Sequence, residues 1–188
     1  MAVSANLTVG QVLTADIANT YMLNSGLVYI KEVALTGTAV NITSCFSATY
    51  DAYQIVISNL TNSAGGVFLN WQLLSGTTPA AGANYNSTRI SVSGATVGAS
   101  YTGAATSGNF MPFDAGKNAQ SITITQPFLA LWTTAFGQCN YGAGAAASQP
   151  ESFGSVHTVN TSYDGIRLIS GAYNFSTGKA VVYGYRQS

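Results

Sequence analysis

His157 is the single imidazole in this chain of 188 residues, and Cys45 and Cys139 are its only thiols. Asp16, Glu32, Asp51, Asp114, Glu151 and Asp164 complete the groups that could carry acid–base, nucleophilic or metal chemistry. A Ser-His-Asp arrangement would pair His157 with Asp51 or Asp164, yet no GxSxG turn presents a nucleophile. Glycoside hydrolysis needs two carboxylates about 5–10 Å apart, and none of the six stands in a recognisable pair. No CxxC or HxxxH spacing suggests structural zinc. Gly142-Ala143-Gly144 lacks the GK[ST] or GxxG context of a phosphate loop; it reads as a mobile linker within Asn140–Gln149. The expectation is a chain that is not an enzyme and holds no metal or other cofactor. Two cysteines make no disulfide framework, and buried free thiols in a reducing compartment are the preferred reading over one bridge.

Such side chains need elements to position them, and the dominant pattern along the chain has period two. Val67, Leu69, Trp71 and Leu73 alternate with Asn70 and Gln72, Ser121–Thr125 alternates cleanly, and so does Thr38–Thr43. These are half-buried strands. Tyr53–Ser58 and Ala180–Tyr185 are β-branched and aromatic runs suited to deeper burial. Between Tyr173–Phe175 and Ala180–Tyr185, Ser176-Thr177-Gly178-Lys179 reads as a hairpin loop with a glycine for positive φ. Further strands are expected at Leu27–Leu35, Thr88–Ser93 and Gly165–Ser170. Thr61–Gly66, Gly76–Asn84 and Gly94–Gly108 read as turn clusters. Phe128–Phe136, after Pro127, is read as a short helix or an edge strand. The expected fold is all-β, an antiparallel, jelly-roll-like β-sandwich over residues 27–188. Residues 1–26 are polar with isolated apolar side chains. They read as an N-terminal arm for assembly through Leu7, Val9, Val12, Leu13, Ile17 and Tyr21, or as an ordinary strand and loop.

Composition narrows the partners. Six Lys and Arg balance six Asp and Glu, so the formal net charge is zero and charged residues make up 6% of the chain, against about 25% in an ordinary soluble domain. Six scattered cations build no basic stripe, so nucleic acid is not an expected partner. No run of about 18 apolar residues exists, so no membrane insertion is expected. Met1-Ala2-Val3-Ser4 has neither a cationic nor an apolar leader region, so no secretory signal is read. Asn-x-Ser/Thr sequons at Asn6, Asn41, Asn59, Asn86, Asn160 and Asn174 follow largely from a composition rich in those residues. A weakly charged surface has little to hold copies of the chain apart.

Eleven tyrosines among Ser, Gly and Asn also make an adaptable recognition surface. Tyr85, Tyr101, Tyr141 and Tyr163 fall in or beside expected loops. Tyr85, Tyr101 and Asn109 are the candidates to face a ligand such as host-surface glycan, with packing of each tyrosine as the alternative.

Three segments carry a resemblance. They are Phe46-Ser47-Ala48-Thr49-Tyr50-Asp51-Ala52-Tyr53-Gln54-Ile55-Val56-Ile57, then Leu69-Asn70-Trp71-Gln72-Leu73 with Gly76 and Tyr85, and the closing stretch from Asp164-Gly165-Ile166-Arg167-Leu168 through Tyr173-Asn174-Phe175 to Tyr183-Gly184-Tyr185-Arg186. Together they resemble a group of bacteriophage virion proteins of the capsid-decoration (cement) and tail-fibre head type. Trp71 or Gln72 stands near a position where that group commonly has a basic residue. The resemblance implies an all-β fold, a homotrimer, no catalysis and a place on the outside of a virion assembled in the host cytoplasm. The expected function is capsid decoration, with the chain and the major capsid protein as partners. The alternative is a tail-fibre or tail-tip head that binds host-surface glycan. A secreted lectin-like or glycan-processing domain is a third class, disfavoured by the missing leader and carboxylate pair. Within the motif, Asp51 is expected to bond backbone amides in the turn, with Tyr50 and Tyr53 packing to either side.

Overall fold

The computed structural model describes residues 26–63, 66–93, 95–113, 118–142 and 148–185. Among them are thirteen strands and no helix: β1 (Leu27–Ala34), β2 (Ala39–Ile42), β3 (Ala52–Asn62), β4 (Val67–Ser75), β5 (Thr78–Pro79), β6 (Tyr85–Ser93), β7 (Thr96–Ala105), β8 (Gly108–Phe113), β9 (Asn118–Thr125), β10 (Thr133–Gly142), β11 (Ser148–His157), β12 (Gly165–Ile169) and β13 (Phe175–Tyr185). Every pairing is antiparallel. The larger sheet has eight strands in the order β1-β13-β3-β9-β10-β11-β6-β7. The smaller runs β2-β12-β4-β5, with β8 also paired to β4.

The two sheets form a sandwich because alternate residues of each point inward. From the larger sheet, Tyr53, Ile55, Ile57, Ile122, Ile124, Phe153 and Val182 are buried; from the smaller, Ile42, Leu69, Trp71, Leu73, Phe110, Ile166 and Leu168 join them. Aromatic pairs bridge the layers, with ring centroids 5.2 Å apart for Trp71–Tyr85, 5.1 Å for Phe110–Phe153 and 5.8 Å for Phe113–Phe175. Trp71 also stacks on Phe110 within its own sheet. Such pairs contribute about 0.5–1.5 kcal/mol each beyond the area they bury.

Several elements differ from the sequence expectations. Ser176–Lys179 is not a hairpin loop: β13 runs unbroken from Phe175 to Tyr185, pairing β3 on one side and β1 on the other. Gly178 has φ +138°, but it lies at a register shift, where its carbonyl accepts the Leu35 N–H. The glycine therefore marks a bulge. Phe128–Phe136 is neither helix nor edge strand throughout; residues 127–132 turn, and β10 begins at Thr133 as an interior strand. Gly94–Gly108 is mostly strand β7. The ends of the expected linker Asn140–Gln149 belong to β10 and β11, and residues 143–147 lie outside the described residues.

In the Tyr50-Asp51-x-Tyr53 motif it is tyrosine, not aspartate, that closes the turn. The Tyr53 hydroxyl donates to the Ser47 carbonyl at 2.8 Å and accepts the Ser47 N–H at 2.7 Å. The Tyr50 ring lies where a Cβ on Gly184 would be, 2.5 Å away. Asp51 contributes its backbone carbonyl, which accepts the Gln126 N–H.

Candidate functional site

The residues on the outer face of the larger sheet follow from its register. Directly opposed residues form one continuous row across all eight strands: Tyr29, Tyr183, Gln54, Thr123, Phe136, Gly154, Thr88 and Tyr101. A parallel row runs from Glu32 through Val181, Val56, Ser121, Gln138, Ser152 and Ile90 to Ala99. The next row on the other side passes through Ala52, Thr125, Thr134, Val156 and Asn86. Among the described residues, the first two rows carry one charge, Glu32, which pairs with Lys179 at 3.1 Å, and the third row carries none. An ordinary solvated face of an antiparallel sheet would carry several Lys, Arg, Glu or Asp.

Aromatic and aliphatic side chains stand out from this neutral face. Phe136 is 51% exposed, Ile90 54%, Tyr29 60%, Val97 68% and Tyr101 69%. Small residues lie between them. Gly154 is the direct cross-strand neighbour of both Phe136 and Thr88. Two shallow depressions of about 510 and 430 Å³ share Thr88, Tyr101 and Gly154 in their walls. The polar groups are tied down locally: Gln54 Nε2 donates to Ser121 Oγ at 2.8 Å, and the Tyr101 hydroxyl donates to Asn86 Oδ1 at 3.2 Å. The face is therefore neutral and locally hydrogen-bonded, with the Phe136 ring near its middle bordering a depression that Gly154 also lines.

The three expected ligand-facing residues do not meet. Tyr85 is a correction: it is fully buried in β6, not in a loop. Its ring packs on Trp71 and His157, and its hydroxyl accepts the Leu73 N–H and donates to the Ala80 carbonyl. Tyr101 is on strand β7, on the outer face. Asn109, on β8, lies on the opposite side of the β6–β7 pair, where its N–H donates to the buried Ser87 Oγ. There it borders a groove of about 200 Å³ with Phe68, Arg89, Ser100 and Thr102. The Tyr163 ring is buried against His157, and the Tyr141 side chain lies outside the described residues.

Of the groups first considered for chemistry, His157, Cys45 and Glu151 are buried, Cys139 and Asp164 are half-buried, Glu32 and Asp51 are exposed, and Asp16 and Asp114 lie outside the described residues. His157 is buried between the Tyr85 and Tyr163 rings, with Nδ1 lacking a hydrogen-bond partner among the described residues, and burial pulls its pKa down. Asp164 instead accepts the Gly76 N–H through Oδ1. Glu151 is buried opposite Cys139, and its Oε2 lies 3.6 Å from Arg89 Nη1. Burial pushes the Glu151 carboxyl up, opposed by the Arg89 charge. The Arg89 guanidinium also lies 4.6 Å from the Phe68 ring centroid. Both cysteines are unbridged. Burial raises each thiol to about 12, helped at Cys139 by the Glu151 charge. Neither is thereby poised as a thiolate nucleophile. Among the described residues, no three His, Cys, Asp or Glu side chains come together as a metal site.

The arm residues Leu7, Val9, Val12, Leu13, Ile17 and Tyr21 lie outside the described residues. The outer-face residues Phe136, Gly154, Ile90 and Val97 are not among the sequence candidates. Alternation of Thr134, Phe136 and Gln138 would have placed Phe136 on one face, but only the pairing register brings it beside Gly154. No protein-family model matches the chain, and neither the curated proteins nor the solved structures include a match to it.

Proposed function

We propose that this chain is a structural component of a bacteriophage virion, a capsid decoration protein that packs against copies of itself and the major capsid protein on the outer capsid surface. The observation that carries the reading is the outer face of the eight-stranded sheet, whose described residues are neutral along its facing rows apart from the internally paired Glu32 and Lys179. Interface cores are depleted in charge and enriched in aromatic residues, and exposed apolar patches of this kind mark interaction sites. Decoration needs area and shape rather than a reactive group. The motif resemblance supplies the virion context. Quantitative mass spectrometry of purified particles tests the reading: on the order of hundreds of copies is expected of a repeating shell. Absence from particles overturns it.

A second reading, a tail-fibre or tail-tip head that binds host-surface glycan, is favoured by the groove beneath the β6–β7 pair. Asn109, Thr102 and Ser100 offer hydrogen bonds to sugar hydroxyls, beside Arg89 and the Phe68 ring. A low copy number per particle, together with glycan binding abolished by Asn109→Ala, would select this reading.

A further inference from the structure

We infer that two copies of this chain pair face to face through the outer face of the larger sheet, about a twofold axis parallel to the strands and midway between β10 and β11, with Phe136 of each copy seated in the hollow over Gly154 of the other. The inference rests on the reading of that face as an assembly surface, and it names the partner.

The geometry starts from two adjacent residues. Phe136 and Gly154 are directly opposed across β10 and β11, so their Cα atoms are about 5 Å apart. Phe136 protrudes, while Gly154 has no side chain and borders both depressions. A knob and a hollow side by side on one face are complementary under a twofold axis that runs between them. The rotation exchanges the two positions, so each copy supplies one knob and receives one. Sheets stacked this way lie about 10 Å apart and cross at about −30° because each is twisted.

The same rotation fixes the rest of the contact. Thr123 falls opposite Thr88 and Gln54 opposite Tyr101 in the central row, as their equal strand distances from the axis require. In the adjacent row Gln138 meets Ser152, Ser121 meets Ile90, and Val56 meets Ala99. Every pairing joins neutral side chains, and no charge is buried. The overlap covers six strands, β3 to β7 in sheet order, and leaves β1 and β13 outside. Glu32 and Lys179, the paired charges of this face, lie on those two strands and stay in solvent. Six strands at ~4.8 Å and three rows of side chains at ~7 Å give roughly 600 Å² per copy. That reaches the lower edge of stable interfaces, about 1,200 Å² in total.

Sedimentation equilibrium and native mass spectrometry of the full chain test the pairing. The wild-type chain is expected to be a dimer, with Phe136→Lys and Gly154→Val each weakening it about 30-fold or more, as for a central anchor. Gly154→Val keeps the fold testable, because a Cβ at this position meets nothing nearer than Thr88 Oγ1 at 3.5 Å. Urea denaturation of the variant checks that it folds. Tyr29→Lys, on β1 outside the overlap, is expected to leave the dimer intact. A monomer at about 100 μM, where even a micromolar interface would be filled, overturns the inference. So does a trimer, or a dimer indifferent to Gly154→Val, as when the face meets a capsid surface instead. A monomeric chain abundant on particles removes the pairing and leaves the structural role standing; a dimer missing from particles does the reverse.

Discussion

The two faces of the eight-stranded sheet are made by the same strands and differ only in which alternate residues they present. On β10 and β11, inner Ala135, Phe153, Ser155 and His157 are buried against the smaller sheet, while outer Phe136 and Ser152 are exposed and Gly154 and Val156 are half-buried. The inner face encloses polar groups, some of them paired, such as Ser87 and Ser155, whose hydroxyls bond at 2.8 Å, and some without a hydrogen-bond partner among the described residues, such as Gln120 and His157 Nδ1. The outer face carries exposed aromatic groups, among them Phe136, Tyr29, which meets Tyr183 edge-on, and Tyr101, whose hydroxyl bonds Asn86. Polarity alone therefore does not separate inside from outside here. What separates them is whether a second layer covers the side chains.

The largest contrast is expected from aromatic truncation on the two faces. Phe153→Ala removes a ring packed on Phe110 inside the sandwich, and should cost about 3–5 kcal/mol of unfolding free energy in urea. Phe136→Ala removes a ring of comparable size from the outer face, and should change subunit stability by less than about 0.5 kcal/mol, as for surface substitutions. Equal losses would mean that the outer face is part of the subunit's own core.

Glycine replacement sharpens the same contrast without changing side-chain chemistry. A Cβ on Gly137 would lie 2.2 Å from the Ser121 carbonyl oxygen and 2.9 Å from the Phe153 ring. Gly137→Ala should therefore force β9 and β10 apart and cost about 1–3 kcal/mol. On the outer face Gly154→Ala meets only ordinary contact with Thr88, and should stabilise the subunit by up to about 1 kcal/mol, since glycine weakens strands. Thermal melts of both variants below the concentration at which copies associate would show shifts of opposite sign.

A subtler pair concerns tyrosine hydroxyls. Tyr85→Phe leaves the buried Leu73 N–H without its partner, a loss of about 1–3 kcal/mol. Tyr101→Phe removes an exposed bond to Asn86 and should stay within about 0.5 kcal/mol. Chemical denaturation reads both.

How far these faces were legible depends on which signals survive in one dimension. Val67–Leu73 and Ser121–Thr125 announce themselves because their inner residues are apolar and their neighbours polar. β11 hides because its inner residues include Glu151, Ser155 and His157, and Pro150 and Gly154 interrupt it. β7 hides because nearly every residue is exposed on both sides, so Thr96–Ala105 shows turn composition without period. Tyr85 reads as lying in or beside a loop because Gly82-Ala83-Asn84 ends one position before it, while its burial is imposed by Trp71 and His157 from distant strands. The neutral composition was legible from the start. That the neutrality gathers on one face required the register of eight strands.

The smallest expected effect is a pH dependence confined to the inner face. His157 is held neutral by burial, below its usual 6.5, so in a window running down from pH 6.5 the unfolded chain binds more protons than the folded one. Stability contributed there is complete above pH 6.5 and falls as the pH drops through the folded pKa. Glu151, at the other end of β11, is pushed above its usual 4.5 by burial, with Arg89 opposing. In a window running up from pH 4.5 the folded chain binds more protons, so its contribution is present below 4.5 and falls as pH rises. The two slopes are opposite in sign, so replacing either residue isolates the contribution of the other. Glu151→Gln should leave a midpoint that falls on acidification, and His157→Phe one that falls as pH rises. Because neither residue reaches the outer face, the association of copies should not follow these slopes. A dimer constant that tracked either variant's pH dependence would show that the two faces communicate through the sheet.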